Sequence, residues 1–291
     1  MKGILLAGGA GTRLHPITKG VSKQLLPLFD KPMIYYPLTT LLWTGAEEIL
    51  IITTPEDQAS FQRLLGDGSW LGIKLHWAIQ PEPKGISQAL LIGRDFLAGE
   101  PCALALGDNV FYGQGLPDSL ARCSQSAQSQ ATVFVYQVND PERYGVMEFD
   151  DKGGPKNIME KPEHPPSNWA VTGLYIYDGS ASERAARLKP SSRGELEITD
   201  LNLDYLRSGH LRVEKLGRGI AWLDTGTPTS MLQAGLFIQA IEERQGLMVC
   251  CPEEVAYRMG LINEAQLREQ AQALGKSAYG KYLQSLLSKN S

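Results

Sequence analysis

The sequence is short of cysteine and histidine, with four of each among 291 residues. Cys102, Cys123, Cys250 and Cys251 form no Cys-x-x-Cys pair and stand at no zinc-like spacing to a histidine. No disulfide framework or zinc ribbon is expected. Adjacent Cys250 and Cys251 read as small apolar residues near a strand end, in a reduced, cytoplasmic protein. His15, His76, His164 and His210 are scattered, and no Ser-His-Asp arrangement is legible. A basic surplus is also missing: 28 Lys and Arg stand against 32 Asp and Glu, a net charge of −4. A nucleic-acid surface is therefore not expected, and cations for any polyanionic ligand must be placed locally. No apolar run approaches the roughly 20 residues that span a bilayer, so no membrane partner is expected. No leader pattern is seen either, because a glycine-rich loop begins at Gly8.

What is present is concentrated first at the N-terminus. Gly3 to Ala7 is a short apolar run, followed at once by Gly8-Gly9-Ala10-Gly11-Thr12-Arg13. An apolar run that stops at glycines predicts a buried parallel strand entering a tight loop. Successive exposed N–H groups in such a loop make a concavity suited to phosphate oxygens. Thr12 adds a hydroxyl and Arg13 a planar cation. The loop is neither a Walker motif, since it closes Gly-Thr-Arg, nor a dinucleotide fingerprint, since Leu14 stands where a third glycine belongs. Local chemistry leaves two readings, a triphosphate cradle or a glycine turn with a solvated arginine.

Downstream, Lys23 stands beside Gln24, whose amide can read a base edge. Helices are expected over 32–43, 56–65 and 88–97, alternating with strands over 49–53, 75–79 and 103–106. Such alternation predicts an α/β, Rossmann-like mixed and mainly parallel sheet flanked by helices. The glycine loop, Gln80 and Asp108 then all fall beyond the carboxyl ends of strands, where ligands bind in open sheets. The second half is β-rich, with runs at 131–138, 144–149, 171–177, 211–216 and 220–223 and a helix over 195–205 carrying Thr199. Thr227 and Pro228 start a helix that continues through 230–243. We divide the chain into an α/β domain over 1–244, with a nucleotide half near 1–110 and a sugar half near 111–230. A C-terminal helical extension over 245–291 is assigned to oligomer or regulatory contacts.

Asp108 and Asp224 each follow a short apolar strand. Remote carboxylates at strand ends can share one Mg²⁺, which takes one or two carboxylates plus substrate phosphates. They can equally cap a turn and a helix. The phosphate-type loop at the same edge favours the metal.

The motifs together carry a likeness. Gly8 to Pro16, Ser22 to Pro27, Lys31 to Pro37 and Leu106 to Asn109 resemble the sugar-phosphate nucleotidylyltransferases. Asp140 to Val146, Glu160 to Pro162, Val171 to Tyr175, Arg193 to Asp200 and Ala221 to Gly226 resemble the branch that acts on dTTP and glucose 1-phosphate. The likeness runs through almost the whole chain, Gln245 to Tyr257 included. It implies a Mg²⁺-assisted reaction in which dTTP and glucose 1-phosphate give dTDP-glucose and pyrophosphate, a first step toward dTDP-rhamnose or other dTDP-deoxysugars. It also implies a homotetramer and a dTDP-deoxysugar effector. By the same resemblance, Leu6, Gly8, Gly9, Gly11, Thr12 and Arg13 bind the nucleotide, with Lys23 on the triphosphate. Gln24, Gln80 and Gly85 read the base. Asn109, Gly145, Glu160, Lys161, Val171 and Tyr175 line the sugar-phosphate site. Asp108 and Asp224 hold the metal, and Arg13, Lys23, Asp108 and Lys161 are catalytic. The chain departs at Lys84, where relatives usually carry an acidic or amide residue, and this bears on base preference. A UTP-preferring enzyme of the same fold is the alternative; a non-catalytic sensor would have lost a metal carboxylate or Arg13, and both are present.

Overall fold

The apolar run after Met1 forms β1 (Lys2–Ala7) in the computed structural model, which describes residues 1–9 and 11–288. Ala10 of the glycine loop and residues 289–291 of the expected extension lie outside the described residues. A hairpin of β2 (Pro27–Leu28) and β3 (Lys31–Pro32) leads into α1 (Tyr35–Trp43). Then come β4 (Glu48–Thr53), α2 (Gln58–Leu65), β5 (Lys74–Ile79), α3 (Gln88–Ile92), α4 (Arg94–Leu97) and β6 (Cys102–Leu106). β1 pairs in parallel with β4 and β6, and β4 with β5. Side chains of β1 alternate between two cores. Leu5 and Ala7 join Ile49, Ile51 and the α1 leucines, whereas Ile4 and Leu6 join Leu50, Ile52 and Leu90. Cover on both faces explains why the strand is continuously apolar.

The second half supplies β7 (Asn109–Gly113), α5 (Leu116–Gln125), β8 (Ala131–Gln137), β9 (Gly145–Phe149), β10 (Pro155–Glu160) and β11 (Trp169–Tyr177). It closes with α6 (Ala181–Ala185), α7 (Ile198–Arg207), β12 (Leu211–Lys215) and β13 (Ile220–Asp224). The main sheet runs β10-β9-β11-β6-β1-β4-β5, with β8 attached at β11 and β12 paired in parallel with β8. β11 is antiparallel to β6, β8 and β9, so the sheet is mixed, as expected. β13 leaves that sheet and pairs with β7 in a separate ribbon.

The expected helix over 88–97 is interrupted at Gly93, giving α3 and α4. That over 195–205 starts later, at Ile198, because Glu197 stays extended as its cap. Cys250 and Cys251 end no strand: Cys251 precedes the first turn of a helix that begins at Pro252, and both thiols are buried. β7, α5, α6 and β10 were not expected from the sequence.

Thr227 caps α8 (Pro228–Gln245) through a reciprocal pair of bonds with Ser230, and Gly246 ends it. The C-terminal helices are α9 (Pro252–Arg258), α10 (Glu264–Ala273) and α11 (Ala278–Ser288). Leu267, Ala271, Leu283 and Leu286 join the same core as the α1 leucines, so these helices pack onto the α/β body.

Candidate active site

The glycine loop leaves the carboxyl end of β1, Gln80 follows β5 and Asp108 follows β6. Three segments remote in sequence therefore meet at one rim of the sheet. At Gly8 the approach is so close that a Cβ would stand 2.4 Å from Gln80 Oε1. Only glycine fits there without moving that amide. Thr18 Oγ1 donates to the Gly11 carbonyl at 2.8 Å and fastens the far side of the loop. The Arg13 guanidinium lies against Gly226, where a Cβ would be 2.9 Å from Nη2.

Lys23 Nζ donates to Asp108 Oδ2, and Asn109 Nδ2 donates to Asp108 Oδ1 at 2.8 Å. Burial pushes the Asp108 carboxyl up, but the Lys23 charge and the bonds from Lys23 and Asn109 outweigh it, holding it below its ordinary value. Asp224, the last residue of β13, is in register with Asn109 on β7. The ribbon thus sets the two carboxylates next to each other, and the Thr225 hydroxyl ties its end to the Asp108 carbonyl at 2.8 Å. Burial first and the Asp108 charge second raise the Asp224 carboxyl above its usual range, against Lys23, Arg13 and Arg143.

Across the cleft, Glu160 ends β10. Its Oε2 accepts from Thr199 Oγ1 at 2.5 Å and its Oε1 from Arg193 Nη2 at 3.1 Å. Lys161 Nζ lies 3.4 Å from the same Oε1. Lys161 has a left-handed backbone, φ 43°, unfavourable for lysine, and its N–H donates to the Tyr144 carbonyl at 3.0 Å. Asn109 is held by its neighbours: its Oδ1 accepts from Trp222 Nε1 at 2.6 Å and Gly173 N–H at 3.1 Å.

These groups line two adjoining cavities. The larger, about 460 Å³, is walled by Asn109, Gly145, Glu160, Lys161, Val171, Tyr175 and Asp224 among others. The smaller, about 260 Å³, is walled by Leu6, Gly8, Gly9, Gly11, Thr12, Lys23 and Gln24 among others. Arg13, Ile86, Leu106 and Asp108 belong to both walls, so the cleft is continuous. Arg13, Lys23, Asp108, Lys161 and Asp224 therefore converge. Gln80 lines a third cavity that also includes Gly9, whereas Gly85, with φ 100°, lines none of these three cavities, and a Cβ there would stand 2.3 Å from the Leu196 carbonyl oxygen.

The sequence reading assigned no site role to Arg143, Arg193, Thr199 or Trp222. Arg143 bridges Asp140 at 2.6 Å and Asp224 at 3.3 Å. Arg193 bridges Glu160 and Glu197, the latter at 2.9 Å. The available signal was a single arginine among carboxylates in each segment, Asp-Pro-Glu-Arg and Arg-Gly-Glu-Leu-Glu.

The nucleotidyl transferase family matches residues 2–241. A glucose-1-phosphate thymidylyltransferase of Xanthomonas campestris is 62% identical over 98% of this chain and 96% of its own length. One of Neisseria meningitidis is 54% identical over 99% of this chain and 100% of its own. A Bacillus anthracis protein crystallised with sucrose, described as a glucose-1-phosphate thymidylyltransferase, superposes with a TM-score of 0.75 at 39% identity, over 81% of this chain and 94% of its own. With similarity of this degree along the whole length, the chain belongs to the nucleotidyl transferase family, among its glucose-1-phosphate thymidylyltransferases.

Proposed function

We propose that this enzyme transfers a thymidylyl group from dTTP to glucose 1-phosphate, releasing pyrophosphate and forming dTDP-glucose. The observation that carries the reading is the continuous cleft, with cations and a glycine loop at one end and hydrogen-bonded carboxylate and amide groups at the other. The sugar phosphate is already an anion, so no strong base is required. The barrier lies in bringing anions together and aligning them. Arg13 and Lys23 face the triphosphate and stabilise the leaving pyrophosphate. Lys161 holds the incoming phosphate opposite them, which favours in-line attack on the α-phosphorus. Glu160, fixed by Thr199 and Arg193, accepts from sugar hydroxyls. Asn109 has one Nδ2 hydrogen left to donate. Gln24 and Gln80 read the base.

Asp108 and Asp224 suit a Mg²⁺ ion. Both are hard oxygen donors, their charges oppose each other, and among the described residues no third His, Cys, Asp or Glu completes a ligand set. The remaining positions suit phosphate oxygens and water, the usual company of Mg²⁺. When bound, the ion would neutralise charge on the phosphates.

A homotetramer, a dTDP-deoxysugar effector and a cytoplasmic setting complete the proposal. Leu232 and Leu236 on α8, 64% and 55% exposed, and Phe29, whose backbone nitrogen lies near Gly235 between them in sequence, support self-association. Four free, buried cysteines accord with a reducing setting. No described helix is long and apolar enough to cross a membrane.

Pyrophosphate release with dTTP, UTP, CTP or ATP against glucose 1-phosphate, with and without Mg²⁺, tests the reading. Rapid release with dTTP and metal is expected. Release no faster with dTTP than with ATP would overturn it.

A further inference from the structure

We infer that Gln88 fixes the polarity of the Gln80 amide and thereby restricts the base subsite to pyrimidines that carry an N3–H. The inference rests on the reading of Gln80 as a base contact. A glutamine amide is pseudo-symmetric, with one end that donates and one that accepts, and a free one can present either. Gln80 is not free. Its Nε2 donates to Gln88 Oε1 at 2.7 Å and to the Gly85 carbonyl at 3.5 Å, so both hydrogens are directed away from the glycine loop.

The orientation of Gln88 is itself set by the main chain. The Lys84 N–H donates to the same Gln88 Oε1 at 3.0 Å. A backbone N–H can only donate, so the Gln88 atom it meets must be oxygen, and the Gln80 atom facing that oxygen must be nitrogen. Gln88 opens α3, and the preceding Ser87 is pinned by its Oγ to the Glu197 carbonyl at 3.0 Å and by its N–H to the Leu196 carbonyl at 3.2 Å. Polarity is therefore relayed from backbone to Gln88 to Gln80.

What remains toward the loop is Gln80 Oε1, beside Gly8, with no donor to it among the described residues. An acceptor in that place asks the ligand for a donor. Thymine and uracil supply one at N3–H. Cytosine presents a bare N3, and two acceptors face each other. The Lys84 departure takes no part in this. Its side chain turns to Glu82 at 2.8 Å on the surface, and only its main chain enters the relay, the N–H to Gln88 and the carbonyl from Leu196 N–H at 2.8 Å.

The test compares kcat/KM for dTTP and CTP in the full-length enzyme. Gln88→Met removes the acceptor and frees Gln80 to turn over. We expect the dTTP-to-CTP ratio to fall about tenfold, the worth of one hydrogen bond, with the change in KM for dTTP rather than in kcat. Gln88→Glu keeps an oxygen for both donors and should restore the ratio, which a role in packing alone would not do. Gln80→Met separates the two claims. If it leaves the KM for dTTP and the ratio as they were, the base contact is wrong. If it alters the ratio and Gln88→Met does not, the relay alone is overturned.

Discussion

The Lys23 ammonium donates directly to Asp108 Oδ2, so the cation after the glycine loop and the carboxylate after β6 neutralise each other inside the cleft. Both side chains are well shielded, at 9% and 20% exposure, and neither charge is spent on solvent. Asp108→Asn keeps the shape and a partner for Asn109 but removes the charge. Turnover should fall roughly 10²-fold, near 3 kcal/mol of barrier, with the fold intact. Pyrophosphate release at saturating Mg²⁺ measures it, and a wild-type rate would end the metal assignment.

Asp224 stands in the opposite electrostatic position. Burial and the neighbouring Asp108 charge make its ionised form unfavourable, and Arg143 offsets this only in part. Asp224→Asn should therefore melt higher than wild type in the presence of a chelator, by about 2–4 °C for each 1 kcal/mol removed in a chain of this size. Mg²⁺ should raise the melting temperature of the wild type and not of the variant, since only a ligand that binds the native state stabilises it. Equal melting of the two proteins in chelator would sink this account.

The sugar end depends on a hydroxyl buried in the first turn of α7. Thr199 donates to Glu160 Oε2 at 2.5 Å, and without it the carboxylate is held through Oε1 alone, by Arg193 and Lys161. Thr199→Val conserves volume and removes the donor. The KM for glucose 1-phosphate should rise about tenfold, the cost of one charge-assisted bond, while the KM for dTTP stays put. A shift in both Michaelis constants would mean that the helix, rather than Glu160, had been disturbed.

Much of this was legible in the sequence because the relevant signals are local. The apolar run before Gly8, the Thr227-Pro228 helix start and the strand ends before Gln80 and Asp108 are each written in a few adjacent residues. What escaped depends on pairing across distance. β7 is a short mixed segment, Asn-Val-Phe-Tyr-Gly, that becomes a strand because β13 returns beside it from more than a hundred residues away. Arg143 and Arg193 look like solvated charges until folding brings Asp224 and Glu160 to them. The polarity of Gln80 is invisible for the same reason: it depends on which atom of Gln88 meets a main-chain N–H.

Away from the cleft, Glu253 offers a test of how α11 is held. Its Oε2 accepts from Tyr279 Oη at 2.5 Å and from Cys251 Sγ at 3.4 Å, deep between α9 and α11. Burial raises its carboxyl above the ordinary glutamate value, and the bond from Tyr279 only partly opposes this. The native chain therefore keeps the proton to a higher pH than the unfolded chain. Between the two pKa values the native state binds more protons, so this group's contribution to stability falls as pH rises through that window. Above it the native protein carries the full cost of a buried carboxylate. Glu253→Gln keeps an oxygen for both donors and cannot ionise. Its melting temperature should exceed that of the wild type at about pH 8, and the gap should close as the pH drops below the usual glutamate range, where both states of the wild type are protonated. A gap that stays constant over the whole pH series would show that ionisation of Glu253 plays no part in holding α11.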